Sequence, residues 1–326
     1  TRVFGFLVLT AALPCFVFPF DGGAPGTQGI RRFQKREVVV ELRPGASIEG
    51  VNARNRTSTI RQVYGTNFYR LRVPSGKKET KWRKKLAKDP DVLSAELNPV
   101  VTNPSLFVRA TVSFPDSLAT PGLTIADFSA QQDLFELLEL EEANLRSRGA
   151  GAVVALIDSG VDRTHPALAA NLWSNPREQP DGIDNDGDGL VDDTNGWNFV
   201  DGNNDPGELP GDPRTTVAGH GTFIAGLITM IAPDCRIMPI RAFPPSGMSD
   251  AFTVAAAVKY AADHGADVIN LSLGSSEPSE ILASALLDAR QRGITLVAAA
   301  GNDGSENDPQ FPAILDEVVA TTAIDL

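Results

Sequence analysis

Residues 152–158 read AVVALID, six apolar residues in a row followed by an aspartate. An apolar run without alternation is what a strand needs when both of its faces are covered, as in a parallel sheet between helices. The rhythm continues downstream. Residues 222–231 (TFIAGLITMI) are an apolar helix candidate and residues 235–241 (CRIMPIR) a second strand. Ser249 is placed to cap a helix over 251–263, which Gly265 stops. Residues 268–273 read as strand, Ser279 caps a helix to Arg292, Gly293 ends it, and residues 294–300 return to strand. Strands alternating with helices of about 10 to 15 residues imply crossovers and a mostly parallel sheet with helices on both faces. The fold class is α/β. In such sheets ligands sit beyond the carboxyl ends of the strands, which points to Asp158, to residues 270–274 and to Gly301-Asn302.

Upstream lies a smaller α+β unit. Residues 37–42 (EVVVEL) read as a strand, 43–45 as a turn and 69–73 as a second strand. The basic stretch 77–88 (KKETKWRKKLAK) is a helix candidate, with Trp82 and Leu86 on one face, and 92–97 return to strand. A block of charge of this kind is either a solvated helix face or a docking surface. Residues 107–132 carry Pro, Ser and Thr without periodicity and read as a linker. The apolar stretch 3–18 is short for a membrane span, which needs about 20 residues. It suits the apolar centre of a secretory signal that has lost its first residues. The expected organisation is a signal remnant and spacer over 1–29, the small unit over 36–103, a linker over 104–130 and the larger domain over 131–326. Both ends of the chain read as cut, since residues 318–324 are apolar with no turn or polar tail after them.

The net charge of −12 argues against nucleic acid as a partner. Residues 31–90 carry 17 Lys and Arg against 5 Asp and Glu, whereas residues 91–326 carry 11 against 35. A basic piece precedes an acidic one, and the two should attract. Two cysteines build no disulfide framework, and Cys235 lies in a predicted buried strand.

Asp158 directly follows the buried strand, where an aspartate either caps the next helix or orients a catalytic base. His220 stands in Gly219-His220-Gly221-Thr222, ahead of an apolar helix, with glycines on both sides that permit close approach. A carboxylate that fixes a histidine's tautomer is the supporting half of a nucleophilic triad. His165 and His264 have ordinary structural readings. Asn302 follows Ala300-Gly301 at a strand end, either as an amide donor to an oxyanion or as a plain turn residue.

Together these pieces resemble the subtilisin-like serine proteases, the subtilases. IDSGVD, GHGTFIAGLI, INLSLG, AAAGNDG and FPAILDEVVATTAID look like that family's successive signatures, in its order, over about residues 130–326. VVVELRPGA and DPDVLSAELNP, within 37–101, look like the subtilase propeptide, a folding aid and inhibitor. The resemblance implies Asp158 as triad acid, His220 as general base and Asn302 as oxyanion donor. It further implies that Ser272, Leu273 and Gly274 line the groove, where an extended peptide pairs as an added strand. Phe223 stands where the family usually has a second histidine, which is not the base. The larger departure is the nucleophile. The Gly-Thr-Ser-Met-Ala-like helix start that should carry it is absent from these 326 residues, so the serine is expected beyond the chain and the chain as given is expected to be inactive.

Residues 181–193 (DGIDNDGDGLVDD) hold Asp184, Asp186, Asp188 and Gly189 in a D-x-D-x-D-G pattern. Alternation lets carboxylates converge on one hard cation. The twelfth position is Asn195 rather than glutamate, so Asp192 or Asp193 must complete the set. The expected ligands are Asp184, Asp186, Asp188 and Asp192, and the expected ion is structural calcium; a solvated acidic loop with Asx turns is the alternative. The leading expectation is a secreted serine endopeptidase zymogen acting on peptides or proteins, with its propeptide as intramolecular inhibitor and no stable membrane anchor. The alternative is a serine-less relative that binds or inhibits.

Overall fold

The computed structural model describes residues 31–103, 139–210, 217–301 and 309–322. Two sheets organise them. The first is antiparallel and holds β1 (Phe33–Leu42), β2 (Ser58–Gln62), β3 (Phe68–Arg72), β4 (Val92–Thr102) and β8 (Met248–Asp250), in the order β2-β3-β1-β4-β8. Two helices, α1 (Ile48–Asn55) and α2 (Glu79–Leu86), cover one face of it. The unbroken VVV of β1 follows from burial on both sides. Val38, Val40 and Leu42 join Val51, Leu71 and Leu86 in the small unit's own core, while Val39 belongs to the core of the larger unit.

Helix α1 and strand β2 escape sequence reading because their apolar pattern is weak. In α1 the buried residues are Val51 and Asn55 only. Capping and tertiary bonds hold the helix instead: Ser47 Oγ accepts from the Gly50 N–H at 3.2 Å, and Arg54 forks onto Asp89 at 2.7 and 3.1 Å.

The second sheet is parallel throughout: β5 (Val153–Asp158), β6 (Trp197–Asn198), β7 (Arg236–Arg241), β9 (Val268–Leu271), β10 (Thr295–Ala299) and β11 (Val319–Thr321), in the order β11-β10-β9-β5-β7-β6. The helices of this unit are α3 (Leu140–Arg146), α4 (His220–Ile231), α5 (Ala251–Asp263) and α6 (Glu280–Gln291). Alternate residues of β5 face different cores. Val154 and Leu156 pack with Ile224 and Ile228 of α4, and Ala155 and Ile157 pack with the cluster that includes α5 and α6. The α/β class with helices on both faces is therefore observed. Among the described residues no helix is long and apolar enough to cross a membrane.

Helix α5 is capped by Asp250, whose Oδ1 accepts from the Thr253 N–H at 3.0 Å, and not by Ser249 as expected. Ser249 is taken up in β8, opposite Val101 of β4. The expected linker over 104–130 lies outside the described residues.

The small sheet rests on α5 and α6. Glu96 on β4 caps α6 from outside it, accepting from Ser279 Oγ at 2.9 Å and from the N–H groups of Glu280 and Ile281 at 2.7 and 3.3 Å. Asn98 Oδ1 accepts from the Phe252 N–H at the start of α5 at 3.3 Å. Among the described residues, ion pairs between the two units are Arg32–Glu277 and Arg70–Asp250, at 2.8 and 2.9 Å. None involves 77–88. That basic stretch lies on α2, against the small unit's own core, so its cations are a solvated face.

Candidate active site

Asp158 ends β5, the strand between β7 and β9. Its side chain is 1% exposed. Oδ1 accepts from the Ser159 N–H at 2.7 Å and from His220 Nδ1 at 2.8 Å. His220 opens α4, and two glycines make that possible. Gly219 caps the helix at φ +88°, a conformation that a side chain disfavours. At Gly221 a Cβ would lie 2.0 Å from the Gly160 carbonyl oxygen, so only glycine lets the helix start approach the turn after β5.

Glu208 ties the same corner together. Its Oε1 accepts from Ser159 Oγ at 2.6 Å and the Gly219 N–H at 2.7 Å; its Oε2 accepts from the Thr222 N–H at 3.1 Å and from the Thr222 hydroxyl. Burial raises the Glu208 pKa, partly offset by the hydroxyls of Ser159 and Thr222. For His220 burial works downward, but the charge and hydrogen bond of Asp158 and the charge of Glu208 outweigh it, and its pKa is raised. With Nδ1 donating to Asp158, the free lone pair is on Nε2, which is the arrangement of an oriented general base. Sequence reading missed Glu208; no local pattern ties it to residues 11 to 14 positions away.

The end of β4 runs into the cleft beside this pair. Thr102 exchanges both backbone hydrogen bonds with Gly274, at 2.8 and 2.9 Å, and faces Met248 of β8 on its other side. The Asn103 N–H donates to the Gly247 carbonyl at 2.9 Å, and Asn103 Nδ2 lies 3.0 Å from His220 Nδ1. Residues 100–103 thus form a strand between β8 and the 272–274 segment. Ser272 and Leu273 are buried, and Ser272 Oγ accepts from Asn270 Nδ2 at 3.0 Å. Asn302 lies outside the described residues; its neighbour Gly301 packs on Gln310, where a Cβ would be 2.9 Å from Cγ. Phe223 packs against the core beneath α4.

The acidic loop folds on its own backbone. Asp184 accepts from the N–H groups of Gly187 and Gly189 at 2.7 and 2.8 Å. Asp192 Oδ1 accepts from Asp181 and Gly182 at 3.0 and 2.9 Å, and the structure does not bring Asp192 into the carboxylate groupings. Those groupings are Glu178 with Asp184 and Asp186, and Asp186 with Asp188 and His264, each with ligand atoms within 4.8 Å of one another. Glu178 is 3% exposed and its Oε2 receives no hydrogen bond. Burial, with the charges of Asp186, Asp193 and Asp184, pushes Asp188 up to about 7. Glu178 and His264 could not be read as loop partners, because α5 and the turn before the loop bring them in only through the fold.

A profile of the Subtilase family matches residues 149–326, more than half of the chain, and the chain belongs to that family. It is 36% identical over 185 residues to a thermophilic serine proteinase of Bacillus sp. (strain AK1), covering 54% of this chain and 39% of that protein. It is 35% identical over 165 residues to the minor extracellular protease Vpr of Bacillus subtilis (strain 168), covering 48% of this chain and 18% of that protein. Among solved structures it is similar to fervidolysin from Fervidobacterium pennivorans, described as a keratinolytic enzyme related to subtilisin. The TM-score is 0.60 at 20% identity, over 89% of this chain and 43% of fervidolysin, a likeness of fold. The chain spans less than two thirds of the length of each of these proteins.

Proposed function

We propose that the whole protein is a secreted serine endopeptidase made as a zymogen. Asp158 orients His220, His220 Nε2 takes the proton of a serine that lies past Leu326, and Asn302 donates to the oxyanion. A peptide substrate pairs with Ser272–Gly274 as an added strand. The observation that carries the reading is the 2.8 Å contact of His220 Nδ1 with Asp158 Oδ1 at the carboxyl end of a parallel sheet.

The unit over 36–103 is its propeptide and intramolecular inhibitor. In support, the Thr102 backbone takes both hydrogen bonds of Gly274, and Asn103 reaches the imidazole, so a substrate cannot take those bonds while β4 is in place. Calcium, or a similar hard cation, is the ion for which the acidic loop is built. Buried Glu178, with an oxygen that lacks a donor, and the neighbouring Asp184 and Asp186 fit an all-oxygen site; Asp188 and the loop's backbone carbonyls would complete it, while Asp192 stays with its backbone donors. Export rests on the N-terminal apolar stretch and on the extracellular relative.

The test is peptide hydrolysis by the protein expressed through its natural C-terminus. His220→Ala should lower kcat by about a millionfold and Asn302→Ala by about a hundred- to a thousandfold, magnitudes taken from subtilisin, a relative. A folded whole protein that lacks hydrolysis after removal of residues 1–103 would overturn this in favour of a binding or inhibitory module.

A further inference from the structure

His264 follows α5 directly, and its side chain is 2% exposed. The ring stacks on Tyr260 with centroids 4.0 Å apart and meets Trp173 edge-on at 6.0 Å, so its orientation is fixed. Nδ1 lies 2.8 Å from the Tyr260 carbonyl oxygen. A carbonyl only accepts, so Nδ1 carries the proton and Nε2 faces the other way. There Nε2 receives no hydrogen bond and lies 3.3 Å from Asp188 Oδ2 and 3.6 Å from Asp186 Oδ2. Asp186 Oδ2 is likewise buried without a hydrogen-bond donor, with the half-exposed Arg177 guanidinium 3.1 Å away. Nε2 thus faces two carboxylate oxygens at the separation of ligands around one ion, and their charge is balanced there by a proton on Nε2 or by a bound cation.

The geometry points to a divalent transition-metal site of the zinc class, held by His264 Nε2, Asp186 Oδ2 and Asp188 Oδ2. Calcium takes oxygen ligands, whereas an imidazole with carboxylates suits a borderline ion. Zinc bonds of about 2.0 to 2.2 Å place tetrahedral ligands about 3.3 to 3.6 Å apart, the spacing of Nε2 from both oxygens. The Tyr260 carbonyl is the outer partner that orients a metal-bound imidazole. Asp193 Oδ2 is also near, 3.5 Å from Nε2, but already accepts from Tyr260 Oη at 2.6 Å and Asn175 Nδ2 at 3.2 Å, and it braces the site from outside. Such an ion ties the acidic loop to the end of α5 and shares Asp186, common to both groupings, and Asp188 with the proposed calcium site, so that His264 is the ligand belonging to it alone.

The test is titration of the full 326-residue chain, freed of metals with a chelator, with zinc chloride and with calcium chloride by calorimetry, and with cobalt(II) by visible absorption. Zinc should bind at micromolar or lower concentration, and cobalt should give the intense bands of a tetrahedral ion. His264→Gln should weaken zinc at least tenfold while changing calcium affinity less than twofold. Equal zinc affinity in the variant, or no zinc binding to the wild type at millimolar concentration, overturns the proposal. Should the variant not fold, the wild-type His264 Nε2 nitrogen resonance decides: a shift on zinc addition supports the site. An Nε2 that stays protonated and unmoved by zinc overturns it and assigns the space to an imidazolium.

Discussion

His220 Nδ1 stands 2.8 Å from Asp158 Oδ1, and the same nitrogen is 3.0 Å from Asn103 Nδ2, so one imidazole edge meets both the sheet's terminal carboxylate and the end of the preceding unit. Burial lowers the His220 pKa, but Asp158 and then Glu208 raise it further, and the net shift is upward from 6.5. A raised histidine pKa means that the charged pair stabilises the fold fully below about 6.5 and that this is lost as pH rises through the folded value. Nitrogen NMR should show the His220 midpoint above 6.5, with a fall in Asp158→Asn. In the whole protein the acid limb of kcat/KM should move down with it, because a base must be neutral to act.

Gly221→Ala should disrupt this corner. The new methyl would sit 2.0 Å from the Gly160 carbonyl oxygen and 3.3 Å from Asp158 Cβ, both on the turn that His220 must reach. Overpacking of this kind costs about 1 to 3 kcal/mol. Thermal unfolding should shift down by several degrees, and the His220 titration should lose its sensitivity to Asp158→Asn.

Thr102→Pro removes the N–H that donates to the Gly274 carbonyl while the backbone of Val101 stays extended. One net hydrogen bond is worth about 1 kcal/mol, or about a factor of five to ten. Hydrogen exchange at the Gly274 amide, which donates to the Thr102 carbonyl, should accelerate by about that factor. An unchanged rate would mean that residues 100–103 are not held by this pairing.

Glu96→Ala leaves the start of α6 without its external acceptor, and the chain should lose about 0.5 to 2 kcal/mol in urea unfolding. Burial raises the Glu96 pKa above 4.5, against the N–H and hydroxyl donors of α6. The stability it contributes therefore falls as pH rises from 4.5 through the folded value, and Glu96→Gln should flatten that slope.

Much of the larger unit was legible because its strands are buried on both faces. AVVALI and residues 294–300 are almost wholly apolar, 268–273 are buried throughout despite Asn270 and Ser272, and Gly265 after α5 with Ser279 and Gly293 around α6 mark helix ends. Asp158 and His220 were legible as candidates for a related reason, as polar residues standing where an apolar strand stops and an apolar helix starts. What stayed hidden is nonlocal. Glu208 and Glu178 lie in irregular segments, and their roles exist only once α4 and the acidic loop are folded around them. His264 looked like an ordinary residue after a helix, since the carboxylates it faces are more than 70 positions earlier. The basic stretch 77–88 misleads in the opposite direction: its charge is conspicuous, yet the side-chain contacts between units come from elsewhere, among them Arg32, Arg61, Arg70, Glu96 and Asn98.

The most direct test of the central claim is reaction of the whole protein, continued past Leu326, with a fluorophosphonate probe, followed by peptide mass spectrometry. One serine on the C-terminal side of Leu326 should be modified, with labelling abolished by His220→Ala and accelerated once the unit over 36–103 has been removed. A folded whole protein that takes no label, or takes it equally in the His220→Ala variant, would contradict it.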